Sequence, residues 1–214
     1  MERKALFITF EGPEGAGKST QIKLLKEYLE SLGRQVLVTR EPGGTPLAED
    51  FRNIVKHYQG EEPLFPETEL LLFDAARTQH THYVIAPAVK SGTIVLCDRF
   101  ADSTEAYQGA GRSLDMDFLL KLNNFAMAGC KPDLTLLFDL PIEVGMERAR
   151  ARVAHIADHN DRLEAEKMDF HQRVRDSFLA IARREPERVK VLDATQSIEE
   201  LFAEVKGLVN NALS

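Results

Sequence analysis

The sequence contains no tryptophan, only two cysteines and no excess of positive charge. Cys97 and Cys130 cannot form a disulfide framework or a four-cysteine zinc site, and their apolar neighbours predict reduced, buried thiols in a cytoplasmic protein. The 27 Lys and Arg residues against 34 Asp and Glu give a formal net charge of −7, which disfavours general binding to nucleic acid or to an anionic membrane. Any anionic ligand must therefore be held by a local basic site.

A long apolar run is also lacking. The N-terminal apolar segment extends only from Ala5 to Phe10 before Glu11 interrupts it, which predicts neither a signal peptide nor a membrane span. The 214 residues include 13 glycines and 9 prolines but no internal repeat, Ser/Gly linker or long block of like charge. We therefore expect one globular domain over residues 1–214.

Five short segments are apolar at consecutive positions, as strands are when a parallel sheet is covered on both faces. Helical patterns alternate with these strands through the chain, and the clearest one ends at the stop signal Gly33. This alternation predicts a doubly wound α/β fold, whose ligands bind beyond the carboxyl ends of the strands. The predicted strands are residues 6–10, 35–39, 93–97, 134–139 and 189–192, and the predicted helices are residues 18–32, 47–58, 67–90, 115–128, 142–152, 162–184 and 198–213.

The strongest functional signal is the segment from Gly12 to Ser19, which matches the phosphate-binding loop GxxxxGK[ST] between a predicted strand and a predicted helix. Its glycines let successive backbone N–H groups turn toward phosphate oxygens, Lys18 adds a full charge, and Ser19 is a candidate Mg²⁺ ligand. The alternative is a glycine-rich helix cap that binds nothing. Because strand, loop, lysine, hydroxyl and helix coincide, we expect a nucleoside triphosphate to bind here.

A phosphate-binding loop is shared by switches, motors and kinases, so other segments must distinguish these classes. The chain has neither the DxxG segment nor the NKxD-like guanine reader that are usual in a GTPase switch. Arginine-bearing segments instead follow predicted strand ends, at residues 39–45 and 97–100, and a third run spans residues 148–152. These positive charges favour a kinase over a non-catalytic nucleotide switch.

Six segments in this order make the chain resemble the thymidylate kinases. The resemblance covers about residues 7–196, and it implies a P-loop nucleoside-monophosphate kinase fold with a five-stranded parallel sheet, helices on both faces and a mobile lid. It also implies transfer of the γ-phosphate of Mg·ATP to dTMP, which makes dTDP for dTTP biosynthesis, by a protein that is commonly a homodimer. A kinase of another nucleoside monophosphate is the alternative. The six segments are the phosphate loop, Arg-Glu-Pro-Gly-Gly-Thr at 40–45, Phe-Asp-Ala-Ala-Arg at 73–77, Asp-Arg-Phe at 98–100, Ala-Tyr-Gln-Gly at 106–109 and Asp-Arg at 161–162.

The resemblance also implies an ATP site made of the phosphate loop and of a loop that follows the last strand. Backbone contacts to adenine are expected to dominate in the second loop, so its side chains carry little information. The residues expected to bind ATP are Gly12, Pro13, Glu14, Gly15, Ala16, Gly17, Lys18, Ser19, Thr20, Thr195 and Gln196.

Direct phosphoryl transfer requires in-line placement and positive charge rather than a covalent protein intermediate. Lys18 is expected to bind the phosphates of the donor. Arg99, just beyond a strand end, is expected to bind the acceptor phosphate through bidentate hydrogen bonds. Arg40 is a second candidate for the acceptor phosphate. The alternative for Arg99 is a structural ion pair with Asp98. Asp98 itself is expected either to hold Mg²⁺ through water, beside Ser19, or merely to orient Arg99.

A candidate base pocket follows from the helix predicted at residues 67–90, where Phe73 and Arg77 lie four residues apart on one face. The resemblance assigns Phe73 to stacking on thymine and Arg77 to hydrogen bonding with its exocyclic oxygen. It assigns Ser103, Tyr107 and Gln108 to the rest of the base and deoxyribose pocket. From the apolar spacing alone, ordinary core packing is the better interpretation of Phe73.

A lid is implied at about residues 148–162, and the resemblance places catalytic arginines there because the phosphate loop itself contains none. Arg150, Arg152 and Arg162 are the candidates, and a solvated basic helix face is the alternative for any one of them. Glu14 stands where thymidylate kinases carry an acidic loop residue. It is expected to meet the 3′-hydroxyl of the acceptor sugar or to influence the lid, and simple solvent exposure is the alternative.

The lid segment is longer than in many bacterial relatives, with the extra residues at 153–160. His155 and His159 stand four apart within it, a spacing that suits zinc on a helix, but no third ligand is suggested. A polar surface is therefore the better interpretation of these two histidines.

Overall fold

The structure, a computed structural model, describes residues 5–153, 162–163 and 165–214. Five parallel strands form one sheet in the order β2-β3-β1-β4-β5. This confirms the predicted α/β class and the five-stranded parallel sheet. The strands are β1 (Phe7–Glu11), β2 (Val36–Arg40), β3 (Ile94–Asp98), β4 (Leu134–Asp139) and β5 (Val189–Asp193).

Helices connect the strands, and two of them continue into wider π-helical segments. No helix within the described ranges is long and apolar enough to cross a membrane. The helices are α1 (Lys18–Ser31), α2 (Pro46–His57), α3 (Pro66–His80), α4 (Ala86–Lys90), α5 (Ala101–Thr104), α6 (Met116–Met127), α7 (Ile142–Val153), α8 (Met168–Arg184) and α9 (Ile198–Leu213), and the π-helical segments are Thr81–Ile85 and Glu105–Gly111.

The core lies on both faces of the sheet because successive side chains of a strand point to opposite sides. Ile8 and Phe10 of β1 belong to the cluster formed with α1 and α9. Phe7 faces the other side, where its ring meets the edge of the Phe100 ring at 4.9 Å between centroids. Double-sided burial is the reason why the strands read as consecutive apolar residues in the sequence.

The strand register brings the functional segments to one edge of the sheet. Phe10 of β1 lies opposite Asp98 of β3, and Arg40 of β2 lies opposite the same aspartate. Because all the strands are parallel, the loops that follow β1, β2 and β3 emerge side by side at the carboxyl edge.

The predicted helix over residues 67–90 is not a uniform α-helix. It is α3, followed by the π-helical segment Thr81–Ile85 and then by α4, and the N–H of Ala86 bonds to the carbonyl of Thr81. Pro87 has no N–H, and in a regular α-helix its ring would clash with the carbonyl four residues earlier. The wider turn before it relieves that clash.

Two further predictions differ from the structure. The predicted helix 162–184 begins only at Met168, and ahead of it the N–H of Arg162 bonds at 3.3 Å to the carbonyl of Lys56 on α2. Residues 101–111 form α5 and a π-helical segment, which the sequence did not predict. Their buried side chains are largely polar and therefore show no apolar periodicity.

The predicted lid falls largely on residues outside the described ranges. These include residues 154–161, with His155 and His159, and the side chain of Arg152. The mobility expected of the lid lies outside the described residues as well.

Leu25 offers a test of the α1 face of the core. Its side chain is fully buried, whereas Leu32, just beyond the same helix, is 53% exposed. We expect Leu25→Ala to lower the free energy of unfolding by about 2–5 kcal/mol, through lost burial and the cavity left behind. Leu32→Ala should change it by no more than about 0.5 kcal/mol. Chemical denaturation of both variants checks this, and equal losses would contradict the packing described.

Candidate active site

A cavity of about 500 Å³ opens at the carboxyl edge of the sheet. The phosphate loop forms one side, the segments after β2 and β3 form the floor, and α3 with residues 101–111 form the opposite wall. The structure thus brings together most of the side chains that the sequence analysis named. Those that line the cavity are Glu14, Gly15, Ala16, Gly17, Lys18, Ser19, Thr20, Arg40, Phe73, Arg77, Asp98, Arg99, Ser103, Tyr107 and Gln108.

The phosphate loop closes around its own lysine. Lys18 is the first residue of α1 and is only 6% exposed. Its Nζ donates to the carbonyls of Gly12 at 3.1 Å and Pro13 at 2.9 Å. Burial lowers the pKa of Lys18, and the nearby charge of Arg99 lowers it further. The N-terminal N–H groups of α1 begin at this loop, and they add partial positive charge to that of the lysine.

Two glycines of the loop are required by close packing. A Cβ on Gly12, whose φ is 130°, would lie 2.3 Å from the carbonyl oxygen of Phe138 on β4. A Cβ on Gly15, whose φ is 74°, would lie 2.3 Å from the carbonyl oxygen of Gly145 on α7. The loop is therefore pressed against both β4 and the beginning of α7.

A hydroxyl and a carboxylate meet at the foot of the loop. Ser19 Oγ donates to Asp98 Oδ2 across 3.4 Å, and both residues line the cavity. These are oxygen ligands of the kind that Mg²⁺ prefers, and Mg²⁺ usually takes only one or two protein carboxylates together with phosphates and water. The two residues thus fit a magnesium ion that arrives with a nucleotide.

Arg99 follows β3 with a φ of +68° and points its guanidinium into the cavity wall. Its Nη2 donates to Glu14 Oε1 at 2.8 Å, and its Nη1 donates to Ser103 Oγ at 3.3 Å. The guanidinium carbon lies 5.1 Å from the centre of the Tyr107 ring. Among the described residues, Arg99 therefore forms an ion pair with Glu14, whereas the neighbouring Asp98 faces Ser19.

A carboxylate that the sequence analysis did not select holds this segment in place. Glu11, the last residue of β1, is fully buried and accepts from the N–H of Phe100 at 2.7 Å and from Ser103 Oγ at 2.6 Å. Burial, together with the charge of Asp102, raises the pKa of Glu11 to about 7. A polar residue between an apolar strand and the first loop glycine was the signal that could have identified it.

Arg77 is fully enclosed by acceptors and still reaches the cavity. Among the described residues, these acceptors take four of its five N–H groups, which leaves one N–H on Nη2. The carboxylates among them belong to the quoted motifs at 40–45 and 73–77, but the sequence analysis gave them no role. The bonds are Nε to Glu41 at 2.9 Å, Nη1 to Asp74 and to Asn123 at 2.7 Å each, and Nη2 to Thr104 at 2.9 Å.

The other candidate base-pocket residues surround Arg77. Phe73 is half-buried at the cavity and belongs to none of the core clusters. Burial raises the pKa of Tyr107 to about 12. Gln108 is 1% exposed, and its Nε2 donates to the carboxylate of Glu69 at 2.8 Å. Stacking, donor and acceptor groups are thus available on one wall.

Basic side chains line the side of the cavity next to α2, and two of them were not expected from the sequence. Arg40 lies at the rim with its side chain 54% exposed, and it is paired with Glu49. Arg52 and Lys56 line the same side. No motif marks these two residues, so sequence reasoning had no means of selecting them.

The arginines that were expected to serve the lid lie in different places. Arg148 lines the cavity and donates to the carbonyl of Ala194 at 2.9 Å. Arg150 is exposed and is not part of the cavity lining. Arg162 donates to the carbonyl of Val55 at 3.0 Å and pairs with Glu69 at 3.4 Å, which directs it toward α2 and α3.

The loop after β5 is held by its own side chains. Thr195 donates from both its N–H and its hydroxyl to Asp193 Oδ1, at 2.9 and 2.6 Å. Gln196 donates to Glu204 at 2.9 Å. Neither Thr195 nor Gln196 lines the cavity, but the bond from α7 to Ala194 ties their loop to the cavity wall.

The chain is similar to known proteins over nearly its whole length. The family model described as thymidylate kinase matches residues 10–205. The thymidylate kinase of Geobacter sulfurreducens is 48% identical over 206 residues, which is 96% of this chain and 96% of that protein. That of Thermomicrobium roseum is 54% identical over 189 residues, 88% and 87% of the two chains. The crystal structure of thymidylate kinase from Ehrlichia chaffeensis, 36% identical, matches with a TM-score of 0.77 and covers 96% of this chain and 98% of that one.

The raised pKa of Glu11 predicts a pH dependence of stability. Between the ordinary value of 4.5 and about 7, the folded protein binds more protons at Glu11 than the unfolded chain does. The contribution of Glu11 to the free energy of unfolding therefore falls as the pH rises through this interval. Glu11→Gln lacks this contribution. The difference in free energy of unfolding, wild type minus variant, should decrease from pH 4.5 to about 7 and stay level above it.

Denaturant unfolding of both proteins across this interval measures the effect. The exposed Glu187→Gln serves as a matched control, for which we expect no such decrease. A difference between wild type and Glu11→Gln that does not change with pH would contradict the burial of an ionisable Glu11.

Proposed function

The chain belongs to the thymidylate kinase family, and we propose that it transfers the γ-phosphoryl group of ATP to the 5′-phosphate of dTMP in line, without a covalent protein intermediate. The protein is a dTMP kinase, a transferase that makes dTDP for dTTP biosynthesis. Family membership favours dTMP over another nucleoside monophosphate as the acceptor. The observation that supports the direct route is one cavity that joins the phosphate loop, Arg99 and the wall of Phe73 and Arg77.

The donor side of the cavity is the phosphate loop, which we expect to hold the phosphates of ATP through its backbone N–H groups. Lys18 supplies charge within the ring of the loop, where its Nζ already lies against two carbonyls. Ser19 and Asp98 would hold Mg²⁺. The ion, when bound, neutralises part of the charge on the transferred phosphoryl group and its leaving group.

Binding of the acceptor phosphate is assigned to Arg99. Its bonds to Glu14 and Ser103 use two of its five N–H groups, and the planar fork leaves donors in the geometry that suits a phosphate. Arg40, at the rim, is the second candidate. Glu14 is then poised between the two substrates, where it either meets the 3′-hydroxyl of the acceptor sugar or influences the lid.

The base pocket is assigned to the wall opposite the phosphate loop. Phe73 stacks on thymine, and the remaining Nη2 N–H of Arg77 donates to an exocyclic oxygen of the base. Ser103, Tyr107 and Gln108 complete the base and deoxyribose pocket. The buried carboxylates around Arg77 hold its plane in place, so the donor is oriented before the substrate binds.

Stabilisation of the negative charge on the γ-phosphoryl group is assigned to a lid at about residues 148–162. The lid is part of a single kinase domain of residues 1–214. Arg150, Arg152 and Arg162 are its candidate arginines, as the family pattern implies. Arg148 joins them because it already lines the cavity. Its bond to the loop at Ala194 supports placing adenine beside Thr195 and Gln196.

We propose that the protein is a homodimer, because large apolar side chains are exposed on three helices that pack in succession, α2, α3 and α6. Phe125 is 76% exposed and Phe118 is 59% exposed on α6, and Leu71 on α3 is 55% exposed. Leu47 and Ile54 on α2 are also exposed, at 47% and 43%. Exposed apolar surface of this extent is typical of a protein–protein interface, and a second copy of the chain offers the same apolar surface in return.

The compartment is proposed to be the cytoplasm. Cys97 is a buried free thiol whose pKa is raised by burial, and Cys130 is a half-buried free thiol. Free thiols of this kind suit a reducing compartment.

The proposed transfer is tested by ADP release from Mg·ATP with dTMP, dUMP, dCMP, AMP, GMP or shikimate as the acceptor. We expect dTMP to be the best acceptor. Arg99→Ala should lower kcat/KM for dTMP by about 100-fold, since it removes the guanidinium that binds and orients the acceptor phosphate. Alanine at a φ of +68° carries no more backbone strain than arginine does. Arg183→Ala, on the exposed end of α8, is the control and should leave kcat/KM unchanged.

Preference for another acceptor would overturn the assignment of the base pocket. Full activity of Arg99→Ala with dTMP would overturn the role of Arg99 at the acceptor phosphate.

The proposed dimer is tested by sedimentation. The double substitution Phe118→Asp and Phe125→Asp should convert a dimer into a monomer, because two charges would be buried at the interface. Leu32→Asp is the control and should remain a dimer. Leu32 is similarly exposed but follows α1, outside the three helices of the proposed interface. A wild-type protein that sediments as a monomer would contradict the proposal.

A further inference from the structure

Glu69 is a fully buried carboxylate in the first turn of α3, behind the base pocket rather than in it. Its Oε1 accepts from Gln108 Nε2 at 2.8 Å and from Arg112 Nε at 3.2 Å. Its Oε2 accepts from Arg112 Nη2 at 3.1 Å and lies 3.4 Å from Arg162 Nη1. It also lies near the N-terminus of α3, whose partial positive charge favours an anion. The carboxylate is thus fixed from several directions.

The bond from Gln108 to Glu69 determines which end of the Gln108 amide points away from Glu69. A carboxylate paired with guanidinium groups only accepts hydrogen bonds, so the group that approaches it must be the NH₂ of the amide. Gln108 is 1% exposed and lines the cavity. With its nitrogen turned toward Glu69, its oxygen faces away from that carboxylate and is the acceptor that Gln108 can offer to a ligand in the cavity.

We propose that Glu69 is a positioning residue that sets the base specificity of the pocket through Gln108. Thymine and uracil carry a hydrogen on N3, which the oxygen of Gln108 accepts. Cytosine presents a lone pair at N3, which that oxygen repels. A flipped Gln108 amide would instead offer an N–H to cytosine. The inference rests on the proposed function, since it takes the acceptor base to lie against Gln108.

Arg77 supports the same selection from its own position. Its remaining Nη2 N–H donates to a carbonyl oxygen of the base but meets an amino group in cytosine. Arg77 is held by Glu41 and Asp74, and Gln108 by Glu69, so two separate sets of carboxylates arrange one donor and one acceptor. The Glu69 contribution can therefore be removed without touching Arg77.

The test is the ratio of the dissociation constants of dCMP and dTMP, measured by titration calorimetry and supported by kcat/KM. In Glu69→Gln, the new amide can present either its oxygen or its NH₂ to Gln108, so both orientations of Gln108 become available. We expect the preference for dTMP over dCMP to fall by about tenfold or more, because discrimination then loses one oriented hydrogen bond.

Glu166→Gln is the matched control. Glu166 is the other carboxylate partner of Arg112, but no hydrogen bond joins it to Gln108 in the described part of the chain. We expect this variant to keep the dTMP preference of the wild type. A merely structural role of Glu69 would weaken the binding of both nucleotides alike and leave the ratio unchanged, which would overturn the proposal.

The exchanged pair Glu69→Gln with Gln108→Glu gives a second test. It returns a carboxylate to the neighbourhood of Arg112 and an acceptor to the cavity, so it should recover the preference for dTMP. The double variant also replaces Glu69→Gln as the test if circular dichroism shows that Glu69→Gln alone does not fold. An exchanged pair that favours dCMP or binds both nucleotides equally would overturn the proposal.

A failure of the proposed function and a failure of the role of Glu69 give different measurements. A wild-type protein that releases no ADP with dTMP would remove the proposed function itself. A wild-type protein that is active with dTMP, together with an unchanged ratio in Glu69→Gln, would remove only the role of Glu69.

Discussion

The parallel register of β1 against its neighbours is the constraint on which the site depends. Phe10 of β1 lies opposite Asp98 of β3. The phosphate loop that follows β1 and the segment with Arg99 that follows β3 therefore begin side by side. Glu11, at the end of β1, connects these two segments by accepting a hydrogen bond from the N–H of Phe100. A shift of the register by one residue would turn Glu11 to the other face of the sheet and release both. The phosphate loop and Arg99, to which the two substrates are assigned, are therefore brought together by backbone pairing in the core.

Buried carboxylates organise the cavity from behind. Glu11 holds Ser103, Glu41 and Asp74 hold Arg77, and Glu69 holds Gln108. The net charge of −7 thus includes acidic side chains inside the protein, where they orient polar groups that line the cavity. Such groups limit the rotamers of cavity-lining residues before any ligand binds.

The sequence was informative wherever a feature is local. The five strands, the phosphate loop and the pairing of Phe73 with Arg77 on one helix face could be predicted, since each depends on spacing within a short segment. Residues 101–111 were missed as a helix because their buried side chains include Thr104 and Gln108, which hide any apolar period. The contact of Gln108 with Glu69 joins two helices 39 residues apart, and no local pattern encodes it. Glu11 is an exception, because its position directly after the apolar segment 6–10 is a local signal that the prediction did not use.

The environment of Arg77 restricts how this pocket can change during evolution. Four acceptors surround its guanidinium, two of them buried carboxylates, and lysine has only three N–H groups on a single nitrogen. A lysine would leave a buried acceptor unmatched, at a cost of about 1–3 kcal/mol or more where the acceptor is charged. A change of ligand preference by substitution of Arg77 would carry this cost, whereas substitution of the half-buried Phe73 would leave these four acceptors matched.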